Sequence, residues 1–407
     1  MTKLVMPNAD RADPAPHTLT KKLLFILAVC AGAAVANLYY AQPLLAMIAG
    51  TFNAPTTVGL VAVATQVGYT LGILFILPLG DLVDRRRLTV ILGGVLVLAT
   101  LACALAPSLN TLAVASLFVG FGATITQVMV PFAADLAVAQ QRGRAVGLVF
   151  SGILVGILLA RTVSGAIGQV LGWRPMFVIA SIVALALVAI LRVSLPKTAP
   201  KTSKSYIELL QSMWSLLAQH RALRSACAIQ ACLFAIFSAF WSILALLLAK
   251  PPFELGAAAA GAFGIIGLVG VGAANVSGYL IDRHGTRPGL FVGLICCVSA
   301  YAVFAADISI RGLIIGIVLL DFGLSLANVS NQSKILGLDP QATSRINTIY
   351  VTALFLGGSI GTAVASAAWA HSGWPAVCLF GLTAALLAFG INIYDWYIGR
   401  EPKTATH

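Results

Sequence analysis

The chain has 407 residues, of which 59% are apolar and 9% charged, with a formal net charge of +12. A soluble chain carries about 25% charged residues, so a soluble enzyme, a disordered chain and a nucleic-acid binder with a basic patch are excluded. What remains is a membrane protein of many spans, each needing about 20 apolar residues.

Residues 1–21 form a polar, proline-bearing tail, read as cytoplasmic. It does not resemble a cleaved signal peptide, which would put charge and an apolar stretch first. Apolar runs follow at 22–50, 56–79, 88–106, 110–135, 145–170 and 175–195. Residues 196–221 are a polar connection: Pro196 to Ser205, then an amphipathic segment in which Tyr206, Leu209, Leu210, Met213 and Leu217 share a helical face. This segment is expected to lie on the cytoplasmic membrane surface. Six more runs cover 225–249, 256–280, 288–306, 311–333, 346–370 and 375–398, before a tail at 399–407. The runs are continuous rather than alternating, so helices are predicted, each satisfying its own backbone. The seven cysteines show no metal-ligand spacing and the five histidines no motif.

Lys and Arg set the orientation, because they accumulate in cytoplasmic loops. With the N-terminus inside, 21 of the 25 basic residues fall on the cytoplasmic side. Arg174, Lys250 and Arg311 fall outside, and Arg161 lies within a span. Twelve spans return the C-terminus to the cytoplasm, and the net positive charge reflects topology rather than an anionic partner.

The second half repeats the first. Gly80-Asp81-Leu82-Val83-Asp84-Arg85 recurs as Gly278-Tyr279-Leu280-Ile281-Asp282-Arg283, and Gly172-Trp173 as Gly373-Trp374. Phe121-Gly122 recurs as Phe322-Gly323, and Arg144 as Arg345. The predicted fold is therefore an all-α membrane protein of twelve transmembrane helices in two pseudo-symmetric six-helix halves, 22–195 and 222–398. Small residues recur every four positions in the fifth span (Gly152, Gly156, Ala160, Ser164, Gly168) and in the eleventh (Ala353, Gly357, Gly361, Ala365). Such spacing lets helix backbones approach closely, either where the halves meet or where each half packs internally; its presence in both halves favours a shared role in the moving seam.

Gly80-x-x-x-Asp84-Arg85, between the second and third spans, resembles the signature loop of the major facilitator superfamily; Asp282-Arg283-x-Gly285-x-Arg287 resembles its second copy. With twelve spans and a central cytoplasmic connection, the resemblance covers the whole chain and points to the drug:proton antiporter-like branch. It implies that Gly80, Asp84, Arg85, Gly278, Asp282 and Arg283 gate the cytoplasmic side by stapling the halves together. The first copy departs from the family pattern at Arg87, and Ile157 stands after Gly156 where antiporters carry Pro.

An ionised side chain at mid-span costs about 2.5–3.5 kcal/mol on insertion scales and is a functional candidate by default. Asp321 in the tenth span and Arg161 in the fifth qualify, each about ten residues or roughly 15 Å from an outer end. Asp321 is the expected proton-coupling residue. Arg161 is an expected substrate ligand, and the two could neutralise each other in one state of a cycle. Asp135 and Asp395 lie near cytoplasmic ends, where capping or snorkelling accounts for them. Ser325 and Asn328 share a helical face with Asp321, and Gln127 holds the matching place in the fourth span. Asn37 and Tyr40, Gln66 and Tyr69 form pairs at +3 in the first two spans, and Trp241 offers an aromatic wall. Together these line an expected central cavity at the interface of the repeats.

The expected function is secondary active transport, proton-coupled efflux of small organic molecules by rocking of the halves. The alternatives are a proton-linked importer or facilitator of a small organic anion, with Arg161 meeting a carboxylate, and a transporter-shaped receptor or scaffold. No catalytic set and no nucleotide-binding loop are present, so neither an enzyme nor a cofactor is expected. The expected partners are a small-molecule substrate, protons and the lipid bilayer, with no nucleic acid. A monomer in a bacterial inner membrane is expected, with both termini cytoplasmic.

Overall fold

The computed structural model describes residues 20–138, 141–197, 205–267, 283, 285–339 and 342–398. Gly278 and Asp282, both tails save Thr20 and Lys21, and residues 198–204 of the connection lie outside them. The first half comprises α1 (Lys21–Ala36), a 3-10 turn (Gln42–Leu44), α2 (Leu45–Phe52), α3 (Gly59–Ile76), α4 (Arg85–Leu105), α5 (Leu109–Ala123), α6 (Ile125–Leu136), α7 (Arg142–Leu171) and α8 (Trp173–Ser194). After α9 (Tyr206–Gln219), the second half comprises α10 (Arg221–Leu248), α11 (Ala257–Ile266), α12 (Thr286–Ala306), α13 (Ile310–Leu336) and α14 (Thr343–Ile398). Among the described residues nine helical stretches are long and apolar enough to cross a membrane. One is α14, whose two arms meet at Gly373, where φ is +68°. The first span is α1 and α2 together, and α11 begins the eighth, whose remainder lies outside the described residues. Among the described residues the fold is the all-helical one expected.

The first span departs from its prediction as one unbroken run. α1 stops at Ala36, and Asn37 turns its amide back onto the carbonyls of Ala33 and Ala34 at 2.9 and 3.2 Å. Pro43, which has no N–H to donate, then opens the short 3-10 turn. The break carries Tyr39, Tyr40 and Gln42 into the middle of the bundle.

Of the two placements left open for the small-residue stripes, they take the one inside each half and not the seam between halves. A side-chain carbon on Gly152 would strike the Ala28 carbonyl in α1, and one on Gly156 the Gly32 carbonyl. In the second half, Gly357 and Gly361 of α14 sit in the same way against Ala231 and Ala235 of α10. Each stripe thus presses the fifth helix of a half onto its first, where only small residues let the backbones close up.

The halves meet along two other seams. In one, Gly165 of α7 faces Ala257 and Gly261 of α11, and Thr162 donates to the Gly261 carbonyl at 3.2 Å. In the other, Gly59 of α3 faces Ser366 of α14, and the Thr70 and Ser359 hydroxyls lie 3.0 Å apart. Gly165 and Gly59 lie toward the helix ends away from the Arg85 loop, whereas Thr70 sits deeper, nearer the Ile76 end of α3. At the Arg85 end the connection crosses between the halves: Tyr206 donates to the Phe75 carbonyl at 3.0 Å, while Met213 and Leu216 enter an apolar cluster with Leu223, Ile335, Ile346 and Tyr350. α9 buries Met213 and Leu216 on one face. Its opposite face leaves Ile207 and Trp214 exposed, the latter by 74%.

Candidate functional site: a buried arginine and a buried aspartate in opposite halves

Arg161 and Asp321 are both buried, at 4% and 6% exposure. α7 carries Arg161 beside the break in the first span. Its Nε donates to the Gln42 side-chain oxygen at 2.9 Å. Three rings surround the guanidinium, with centroids 4.0 Å (Trp241), 4.7 Å (Tyr39) and 5.9 Å (Phe237) from its central carbon. Desolvated cation–π contacts reach about 2 kcal/mol each, so the rings replace much of the hydration that the guanidinium forgoes. Arg161 Nη2 is buried without a hydrogen-bond partner, and so is Trp241 Nε1. Both residues line one cavity of about 10 Å³ with Gln42, Pro43, Leu244, Ala245 and Ala260.

Asp321, on α13, has a buried Oδ1 without a partner. A side-chain carbon on Gly267 would lie 3.1 Å from its Oδ2 and 3.9 Å from the Trp241 ring edge. Carboxylate and indole therefore flank the same glycine. Among the described residues no ion pair within 4.0 Å joins Arg161 to an acid or Asp321 to a base. The expected acid and base are both buried at the join of the halves, and they stand apart.

The remaining candidates fall into three groups. Asn37 and Tyr40 flank the break beside Arg161: Tyr40 contributes its carbonyl, which accepts from Ser164 at 2.5 Å, and Asn37 keeps a buried, unpartnered Oδ1. Gln66, Tyr69 and Gln127 form a second group, in which Gln127 donates to the Tyr69 hydroxyl at 3.0 Å. The Tyr69 ring meets Phe355 of the other half edge-on at 4.6 Å, and Gln66 lies against Gly358. Asn328 joins a third group, its amide oxygen 2.9 Å from the Tyr350 hydroxyl, which also lies 2.9 Å from the Gln230 oxygen. Ser325, one turn before Asn328, is half-buried.

Sequence reasoning missed Tyr39, Gln42, Phe237, Gln230 and Tyr350. Tyr40 was chosen over Tyr39 by the +3 spacing from Asn37, which assumes a continuous helix. The break rotates the chain and turns Tyr39 to the guanidinium instead. The one signal in the sequence was Gln42-Pro43, a polar residue and an imino acid inside an apolar run.

At the Arg85 loop, Asp84 caps α4 by accepting from the Arg86 amide at 3.1 Å. Arg85 is buried: it donates to the Gly80 carbonyl and to Asp81, each at 2.9 Å, and pairs with Asp135 of α6. Asp135, expected to be a mere end group, is thus an ion-pair partner within the first half. Asp395 likewise pairs with Lys334, and stands 4.0 Å from Arg221. Of the second copy, Arg283, Gly285 and Arg287 lie among the described residues, and Gly278 and Asp282 do not.

Comparison with known proteins agrees with this architecture. The chain is 36% identical over 401 residues to an uncharacterized transporter, YgaY, of Escherichia coli O157:H7, covering 96% of this chain and 99% of that one. It is 34% identical over 384 residues to a probable transporter, SCO4007, of Streptomyces coelicolor, covering 91% and 87%. Among solved structures, a bacterial homolog of the human lysosomal transporter Spinster, in an inward-facing and occupied conformation, superposes with a TM-score of 0.73 at 15% identity, covering 94% of this chain and 98% of that one. The model of the Major Facilitator Superfamily matches residues 24–362. This chain is an integral membrane transporter protein belonging to that superfamily.

Proposed function

We propose that the protein is a proton-coupled secondary transporter that exports small organic molecules by alternating access, with Asp321 as the proton carrier. The observation that carries this reading is the buried Asp321 carboxylate without a pairing base, beside the join of the halves. Burying a lone carboxylate favours its neutral form, and access to water restores the charge. A rocking motion that changes that access would therefore load and unload a proton. Arg161 belongs to the opposite half, so relative movement of the halves changes the field each feels. One proton crossing 100 mV supplies about 2.3 kcal/mol, or roughly a fifty-fold substrate gradient at 1.4 kcal/mol per decade.

The basic-residue asymmetry supports cytoplasmic termini in a bacterial inner membrane. With that orientation, the two seams close the outer side and the molecule faces the cytoplasm. The Gly80–Asp84–Arg85 loop would then gate the open side, engaging the second half when the seams part. Purified protein in liposomes, given an imposed pH gradient and a panel of organic compounds, tests the reading. Protons moving inward should drive export, and Asp321→Asn should abolish the gradient dependence while leaving substrate binding. Undiminished proton-driven flux in Asp321→Asn would remove the coupling role.

A further inference from the structure

We propose that Arg161 Nη2 and Trp241 Nε1 together receive the head of a small organic monoanion, a carboxylate with a short apolar or aromatic body. The inference rests on the central cavity being the transport site and names the class of compound it takes.

The argument is an inventory of donors and acceptors. A guanidinium offers five N–H groups and an indole one, and neither accepts. Gln42 engages Arg161 Nε, at 2.9 Å, and three aromatic rings surround the guanidinium. That leaves Nη2 buried and unpartnered, and the indole nitrogen of Trp241, whose ring centroid lies 4.0 Å from the guanidinium carbon, is unpartnered too. Of the other residues lining their common cavity, Pro43, Leu244, Ala245 and Ala260 have no side-chain acceptor, and the Gln42 oxygen already faces Nε. The site therefore has two donors and a positive charge, and among the described residues no side chain of its walls matches the free ones.

A carboxylate answers both needs, with two acceptor oxygens and the opposite charge. A primary amide of the same shape has one oxygen and no charge, and an ammonium would be repelled. Water could satisfy a donor but would leave the charge unbalanced. The cavity of about 10 Å³ is the size that one oxygen fills, so with the halves closed it admits a single carboxylate oxygen, and the rest of the head enters only as the halves part. For the body there is an aromatic wall: Phe237 is half-buried and stacks on half-buried Phe234, ring centroids 5.4 Å apart. Asp321 does not serve as the missing acceptor, because it lies beyond pairing distance at the glycine that the indole edge also borders. Gln42 acts as a positioning residue that fixes the plane of the guanidinium.

The test uses full-length protein purified in detergent and isothermal titration calorimetry. The probes are benzoate, phenylacetate and hexanoate, each beside its primary amide. At least one acid is expected to bind about tenfold or more tightly than its amide. Trp241→Phe keeps a ring against the guanidinium and removes only the N–H, and it should weaken that acid three- to tenfold while leaving the amide unchanged. Arg161→Gln should abolish the preference for acid over amide. If Arg161→Gln does not fold, Trp241→Phe alone carries the test. Acids binding no more tightly than amides, or Trp241→Phe binding the acid as the unmodified protein does, would overturn the proposal. The outcome separates from that of the transport reading. Acid binding without pH-driven flux would remove the proton role and leave this site standing. Asp321-dependent flux of a neutral or cationic compound, with no acid binding, would overturn this site and leave transport standing.

Discussion

The hydroxyls of Thr70 and Ser359 lie 3.0 Å apart across the seam between the halves. Each also reaches a carbonyl of its own helix, Thr70 that of Gln66 at 2.9 Å and Ser359 that of Phe355 at 3.0 Å. A hydroxyl has one proton, so bridging the seam requires one of them to leave its own carbonyl. The bridge is accordingly worth no more than the average interhelical hydrogen bond in a membrane, about 0.6 kcal/mol. Thr70→Val should shift the balance of states by about threefold, at 1.4 kcal/mol per decade, toward the form in which this seam is parted at its Gly59–Ser366 end. Spin labels at Leu60 and His371, on the two sides of that end, would read the shift as a larger population of long distances. An unchanged distance distribution would show that the seam is held by its apolar and glycine contacts alone.

The Arg85 loop yields a prediction about coupling rather than size. Arg85 is buried and has two carboxylates and a carbonyl around its guanidinium, whereas Asp81 and Asp135 are each about one-third exposed. Hydrogen bonds to charged groups contribute about 1.5–3 kcal/mol, and partial exposure puts the loss from Asp135→Asn at the low end. Asp81→Asn should cost a similar amount. The double variant should cost more than the sum, because the buried cation then loses the charge of both Asp81 and Asp135. Reversible unfolding in mixed detergent micelles measures all three. Strict additivity would mean that the two acids do not share one cation in solution.

The spans, the duplication and the family were legible because each is written locally: apolar runs, small-residue spacing and a short loop motif survive in one dimension. The buried pair was legible too, since an ion inside an apolar run stands out without a structure. Other features were hidden for a physical reason. Asp135 partners Arg85 across 50 residues, and nothing in the local sequence of either records the other. The break after Ala36 was masked because the residues around it, Leu38 to Ala41 and Leu44 to Ala46, are as apolar as a continuous helix would be. Periodicity then chose Tyr40 where the turned chain presents Tyr39. The stripes were found with two placements open, since four-residue spacing reports a close approach and not which helix approaches.

The repeated Gly-Trp pair gives the last prediction. Gly172 has φ +88° and ψ 171°, and Gly373 has φ +68° and ψ −154°. Both occupy a region that is essentially glycine-only and costs any other residue about 1–3 kcal/mol. No neighbouring atom lies within 4 Å of where a side-chain carbon would sit at either position, so the cost of adding one is backbone strain alone. The conformation serves the tryptophan that follows: Trp173 donates to the Thr51 hydroxyl and Trp374 to the Phe304 carbonyl, each at 3.0 Å. Gly172→Ala and Gly373→Ala should therefore each destabilise the protein by about 1–3 kcal/mol, and by similar amounts, because two halves of one plan make the same turn. Gly147, inside α7 with the same open surroundings and no positive φ, supplies the contrast. There alanine should stabilise by up to about 1 kcal/mol through helix propensity. A stability series in which all three alanines behaved alike would show that backbone conformation is not what selects glycine at the two turns.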